Sequence, residues 1–234
     1  MHLDLYCDLP AGAPDALLAE GDRHVERVST FMRLSVPRER LRVYVFSCHW
    51  SLSLFLIRAC PRQWDRGAAC FETAEGFVAA IARQWRRKDT LRYLRHELTH
   101  YVLASHFCDL PPWIDEGLAQ YCEADPPFER HCHENLKRAG RGIASETGVL
   151  EGLVSIPAGE RLTRKQYAQS HALVCFLMDS ERFGLEPILR YLRCVRSDRA
   201  GREYFQQCFG EWPCDLEEEW RAFLRGQQSH LSAR

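Results

Sequence analysis

The chain lacks a basic start followed by an apolar run. MHLDLYCDLPAGAPDALLAE carries Asp4, Asp8, Asp15 and Glu20, so no secretory leader is expected. It also lacks a long hydrophobic run: Val45 to Ile57 (VFSCHWSLSLFLI) is interrupted by His49 and serines. That stretch falls short of the roughly 20 residues a bilayer-spanning helix needs. An excess of one charge is missing too. Lys plus Arg total 31 against 32 Asp plus Glu, a formal charge of -1, so neither nucleic acid nor an anionic membrane is expected as the main partner. Cysteine is plentiful at 11, but the number is odd and no C-x-x-C pair occurs. A disulfide framework is therefore a poor description, and reduced thiols in a cytoplasmic protein are expected. Hydrophobic residues at 46% and charged residues at 27% exclude disorder and coiled coil. No internal repeat or low-complexity tract is present, and 234 residues suit one large domain or two lobes sharing a cleft.

What is present changes period along the chain. Residues 14 to 34 set Leu17, Leu18, Val25, Val28 and Met32 at helical spacings, ending before Pro37. Leu41, Val43 and Val45 then alternate with Arg42 and Tyr44 as in a half-buried strand, and Ala68 to Glu72 and Phe77 to Ala82 are two further short strand candidates. Residues 1 to 88 thus read as an α/β lobe. From Asp89, with Asp89 and Thr90 as start signals, Leu91, Leu94, Leu98 and Val102 recur as in a helix. Pro111-Pro112 interrupts, and Trp113 to Glu123 opens a second helix after proline. The Arg-rich stretch Arg83 to Arg95 reads as solvated surface. Arg138 to Gly159 reads as a connection with one short strand at Val149 to Ile156. Four helices follow, Tyr167 to Phe183, Pro187 to Arg196, Arg202 to Phe209 and Leu216 to Leu224, and GQQSHLSAR closes the chain as a frayed tail.

The chemistry concentrates in His96-Glu97-Leu98-Thr99-His100, an H-E-x-x-H sequence on a predicted helix. Positions four apart on a helix lie within about 40° of each other, so both imidazoles can reach one metal ion while Glu97 leans towards its open side. A zinc site that hydrolyses amides wants three protein ligands and one free position. Glu116, in Trp113-Ile114-Asp115-Glu116-Gly117-Leu118-Ala119, can supply the third from the next helix across the short loop Cys108 to Pro112. Asp115 reads as an ordinary first-turn acid favoured by the helix dipole. A donor for the developing oxyanion is also needed, and Tyr167 and His171, one helical turn apart, are the candidates. His131 and His133, near Cys132 and Cys122, fit no familiar zinc spacing and read as solvent-facing polar residues.

HELTHYVL followed by LPPWIDEGLAQY resembles the gluzincin group of zinc metallopeptidases, and in particular peptidase MA-like domains with a shortened gap before the glutamate. RLRVYVF resembles the strand before the site in such proteins, and YAQSHALVCFL the helix after it. The resemblance implies an α+β, zincin-like, two-lobed fold over residues 1–234 as a single catalytic domain. Its N-terminal α/β lobe would be 1–88, its zinc-binding helices 89–124 and its mostly helical C-terminal lobe 125–234, with the metal site between the lobes. It implies one Zn2+ per chain on His96, His100 and Glu116, Glu97 as general base, Tyr167 ahead of His171 as oxyanion donor, and a peptide or protein substrate. The G-x-M-E-N segment of the aminopeptidase branch is absent.

Two other readings stay open at this stage. His106 stands six residues after His100, the spacing of the third histidine in metzincins, although Leu103 occupies the position where that motif places glycine to turn the chain. Alternatively, a zinc-stabilised scaffold would keep the ligands without turnover; an intact Glu97 between the histidines argues for proton transfer instead.

Overall fold

The computed structural model describes residues 2–7, 13–124, 133–141, 146–195 and 201–232. The chain divides into two compact units, residues 1–106 and 107–234. It is a mixed α+β protein, and among the described residues the strands all lie in the first unit. Among the described residues, no helix is long and apolar enough to cross a membrane.

The first unit is built on a four-stranded sheet of order β1-β2-β4-β3. Its strands are β1 (His2–Cys7), β2 (Arg40–Phe46), β3 (Ala68–Thr73) and β4 (Gly76–Ala82). β1, β2 and β4 run parallel and β3 is antiparallel to β4. Alternation sorts the side chains of β2 as expected: Leu41, Val43 and Val45 are buried on one face. That face carries α1 (Ala13–Phe31) and α3 (Arg87–Ala104), with Phe77 of β4 edge-on to Tyr101 of α3 at 5.3 Å. The opposite face packs α2 (His49–Ala59) through Leu52 and Leu56 against Val78, Ala80 and Ala82, with Tyr44, Phe46 and Phe55 alongside. β1 and α2 are two elements the sequence patterns do not announce.

α1 turns a stripe of Leu17, Gly21, His24, Val25, Val28 and Ser29 inward, and Met32 just past its end is buried too. α3 answers with Leu94, Leu98, Tyr101 and Val102. The start of α3 differs from expectation: Asp89 lies in the first turn, while Thr90 Oγ1 accepts from the backbone N–H of Gln84 at 2.9 Å, so the hydroxyl ties the preceding loop to the helix. Arg95 is buried rather than solvated, and donates to Glu20 of α1 at 2.7 Å.

The second unit is helical, with α4 (Pro112–Cys122), α5 (His133–Gly140), α6 (Val149–Val154), α7 (Arg164–Asp179), α8 (Leu185–Cys194), α9 (Gly201–Phe209) and α10 (Pro213–Ser232). α7 is its central helix, started by a capping box in which Thr163 and Gln166 each bond the other's backbone N–H. The segment expected as a strand at Val149 to Ile156 is the helix α6. Gly148 takes the left-handed conformation at φ 68 to begin it, and Leu150, Leu153 and Val154 are buried at helical rather than alternating spacing. Its first turn is held by α10, where the Glu217 carboxylate accepts from the Leu150 N–H at 3.1 Å and pairs with buried Arg221. The closing residues expected to fray continue α10 as far as Ser232.

Candidate metal and catalytic residues

In the first unit, α3 places His96 and His100 one turn apart, half-buried, with their Nε2 atoms 3.2 Å apart and their rings near-perpendicular at 79°. The separation suits a shared metal ion as well as it suits a hydrogen bond between the rings. Two nitrogens bound at about 2.0–2.1 Å to one tetrahedral ion stand about 3.3 Å apart, so the pair already spans one edge of such a site. Glu97 is buried between them in sequence, only 5% exposed.

The back of α3 is fixed by a set of polar side chains. Arg27 can only donate, so its bond to His24 Nδ1 at 2.7 Å puts the imidazole proton on Nε2. Nε2–H therefore donates to Thr99 Oγ1 at 3.0 Å, and Thr99 donates to the Arg95 carbonyl at 2.9 Å. Full burial, with the Arg27 and Arg95 charges nearby, holds the pKa of His24 well below the ordinary histidine value. Burial raises the pKa of the Glu20 carboxyl, but its bonds to Arg23 and Arg95 outweigh that and lower it overall. His24 has a legible signal in hindsight, since it falls on the inward stripe of α1, whereas its contact with Thr99 spans 75 residues and has no signal in the sequence.

His106 is engaged elsewhere. Its Nδ1 donates to the Val102 carbonyl at 2.9 Å and its Nε2 lies 3.2 Å from Ser35 Oγ. α3 runs helical through Leu103, so the chain makes no turn where the metzincin pattern requires one.

In the second unit, Glu116 is 6% exposed on α4, and its Oε1 accepts from Tyr167 O–H of α7 at 2.9 Å. Gln120 reinforces the junction by donating to the backbone carbonyls of Glu116 at 3.3 Å and Tyr167 at 3.1 Å. Asn135 of α5 in turn donates to the Gln120 carbonyl oxygen at 2.6 Å. Neither amide residue is marked by the sequence patterns. Gly117 is what lets α4 lie on α7: a Cβ there would fall 2.7 Å from the Ser170 carbonyl oxygen and 2.7 Å from Val174 Cγ2. His171 is buried one turn beyond Tyr167, with Nε2 3.4 Å from Cys175 Sγ of its own helix. Asp115 lies in the first turn of α4, as expected of a dipole-favoured acid. His131 lies outside the described residues, and His133 is the first residue of α5.

Two imidazoles at tetrahedral spacing and a buried acid between them belong to the chemistry of metal-dependent hydrolases. The model of the peptidase MA superfamily matches residues 34–226, and the chain belongs to that superfamily. No curated protein matches the chain in sequence. Membership points to a peptidase.

Proposed function

We propose that this protein is a zinc-dependent peptidase of gluzincin type, in which His96, His100 and Glu116 bind one zinc ion. The observation that carries this reading is the 3.2 Å separation of the two Nε2 atoms on an H-E-x-x-H helix. Two imidazoles and a carboxylate are the donor set of a catalytic zinc with one free position, and His96, His100 and Glu116 are donors that suit a metal ion. The Glu116 carboxylate is buried and accepts from Tyr167 through Oε1, a hydrogen bond that orients it. When bound, zinc supplies a Lewis acid that polarises a carbonyl oxygen and lowers the pKa of water.

The protein's own residues account for the proton movements. Glu97, buried on the histidine helix, accepts a proton from the attacking water and delivers it to the departing amine nitrogen. Tyr167, whose single O–H proton donates to Glu116 in the resting arrangement, would turn that proton to the oxygen on which negative charge develops, and His171 is the alternative donor on the same helix. The substrate class is a peptide or protein.

The test is metal analysis of purified protein with digestion of a peptide library. One zinc per chain is expected, falling on Glu116→Ala and persisting on His106→Ala. The reverse pattern would replace this ligand set by the metzincin one, and a zinc-loaded wild type that cleaves nothing would make the protein a scaffold.

A further inference from the structure

Outside the proposed metal site, the first unit carries a surface that none of the hydrolytic chemistry uses. α2 is apolar on both sides. Leu52 and Leu56 are fully buried, while Trp50, Leu54 and Ile57, at i, i+4 and i+7, are 72%, 45% and 50% exposed. Trp64, just beyond the helix, is 53% exposed, and Trp85, in the loop after β4, is 100% exposed. Trp85 and the start of α2 belong to one end of the sheet: Ala82 pairs with Phe46, and the N–H of Arg83 bonds the Phe46 carbonyl at 2.8 Å. Single exposed apolar residues are ordinary, but a stripe bracketed by tryptophans marks an interaction surface.

Charge says what kind. Trp85 is flanked by exposed Arg83, Arg86, Arg87 and Lys88, and the α2 stripe by exposed Arg58 and Arg62. None of these six is paired with a carboxylate among the described residues. Residues 40 to 88 contain nine Arg and Lys against three Asp and Glu, on a chain whose formal charge is -1. The local field is therefore positive although the whole molecule is balanced.

We propose that this face docks peripherally on an anionic lipid bilayer, with Trp50, Leu54, Ile57 and Trp85 entering the headgroup–acyl boundary and the surrounding arginines meeting the lipid phosphates. Tryptophan partitions to that boundary, and aliphatic side chains on an exposed helix face gain from burial there. Nearby cations add attraction to anionic headgroups. A nucleic acid would use the cations and tryptophans, but Leu54 and Ile57 offer nothing for bases to stack on. A second copy joined symmetrically through this face would set the cationic groups against themselves.

The test is flotation of the full chain with vesicles of phosphatidylcholine alone and of phosphatidylcholine with about 30% phosphatidylglycerol. Binding to the anionic vesicles is expected, with a blue shift of tryptophan emission, falling about tenfold or more on the neutral vesicles and again in about 0.5 M salt. Trp50→Ser with Trp85→Ser, and separately Arg86→Glu with Arg87→Glu, should each weaken binding by about tenfold or more while leaving the far-ultraviolet circular dichroism unchanged. Absence of flotation with anionic vesicles, or flotation indifferent to both double variants, overturns the proposal. So does tighter binding of a single-stranded oligonucleotide than of vesicles, or a concentration-dependent dimer that shields Trp85.

Discussion

Gly117→Ala is the substitution whose effect follows most directly from distance. The added methyl would sit 2.7 Å from the Ser170 carbonyl oxygen, 2.7 Å from Val174 Cγ2 and 3.1 Å from the Ser170 carbonyl carbon. Two of those three atoms are backbone, so no rotamer change relieves the contact. α4 and α7 must separate by about 0.5 Å or more to restore van der Waals spacing, and forcing a methyl into a packed interface costs about 1–3 kcal/mol. For a chain of this length, a loss near the upper end lowers the melting temperature by roughly 5–10 °C. The same displacement would stretch the Glu116–Tyr167 bond from 2.9 Å towards about 3.4 Å, at the weak end of hydrogen bonding, so zinc affinity should fall with stability. Thermal unfolding by circular dichroism and zinc titration read the two effects. Gly152→Ala is the control: it lies within α6, an added Cβ there would meet nothing within 4 Å, and the change should stabilise by about 0.5–1 kcal/mol. A Gly117→Ala protein that melts with wild type and keeps its zinc affinity would refute the argument.

Three further outcomes are expected. Glu97→Gln should fold, retain metal and lose hydrolysis by about 100- to 10,000-fold in a peptide assay, and equal cleavage by the variant would remove Glu97 from proton transfer. Tyr167→Phe should lower turnover by about 10- to 1000-fold; a loss that disappears at saturating zinc would confine the hydroxyl to holding Glu116. His24 remains neutral when folded because its pKa is depressed, whereas the unfolded chain protonates near the ordinary value of about 6.5. Below that pH the unfolded state binds the extra proton, so stability falls with decreasing pH by up to about 1.4 kcal/mol per unit. His24→Gln should flatten urea-denaturation midpoints over that acid range, and an unchanged slope would show that His24 does not titrate on unfolding.

The elements that were legible in the sequence are those with one wet face and one dry face. α1 and β2 each bury a single stripe, and their periods of 3.6 and 2 appear directly in Leu17, Val25, Val28 and in Leu41, Val43, Val45. α2 was not legible because Trp50, Leu54 and Ile57 fill the side that polar residues normally mark. Val149 to Ile156 has strand character in its Val, Leu and Ile, whereas the left-handed Gly148 and the inward positions of Leu150, Leu153 and Val154 make Val149 to Val154 a helix. The histidine pair was readable because helical spacing alone brings the two rings together. Tyr167 could be placed near the chemistry, but its hydrogen bond to Glu116 joins residues 51 apart. In sequence Arg95 is one more arginine of a basic stretch, and the arrival of Glu20 from α1 explains its burial.

That arrival has a mechanical consequence. Arg95 and Thr99 stand four residues apart on the side of α3 turned to α1, and His96 and His100 each follow by one residue. The two pairs form adjacent tracks offset by about 100° around the helix axis, so α1 works like a key in a slot and sets the rotational phase of the imidazoles. One residue inserted or deleted between the first turn of α3 and Arg95 would leave the helix intact yet force a choice. Either the α1 contacts keep their register and the start of the helix is dragged round, or the start stays and both imidazoles swing out of line. Length changes in this family of sequences should therefore be borne by the loops on either side of α3 and not by the helix itself.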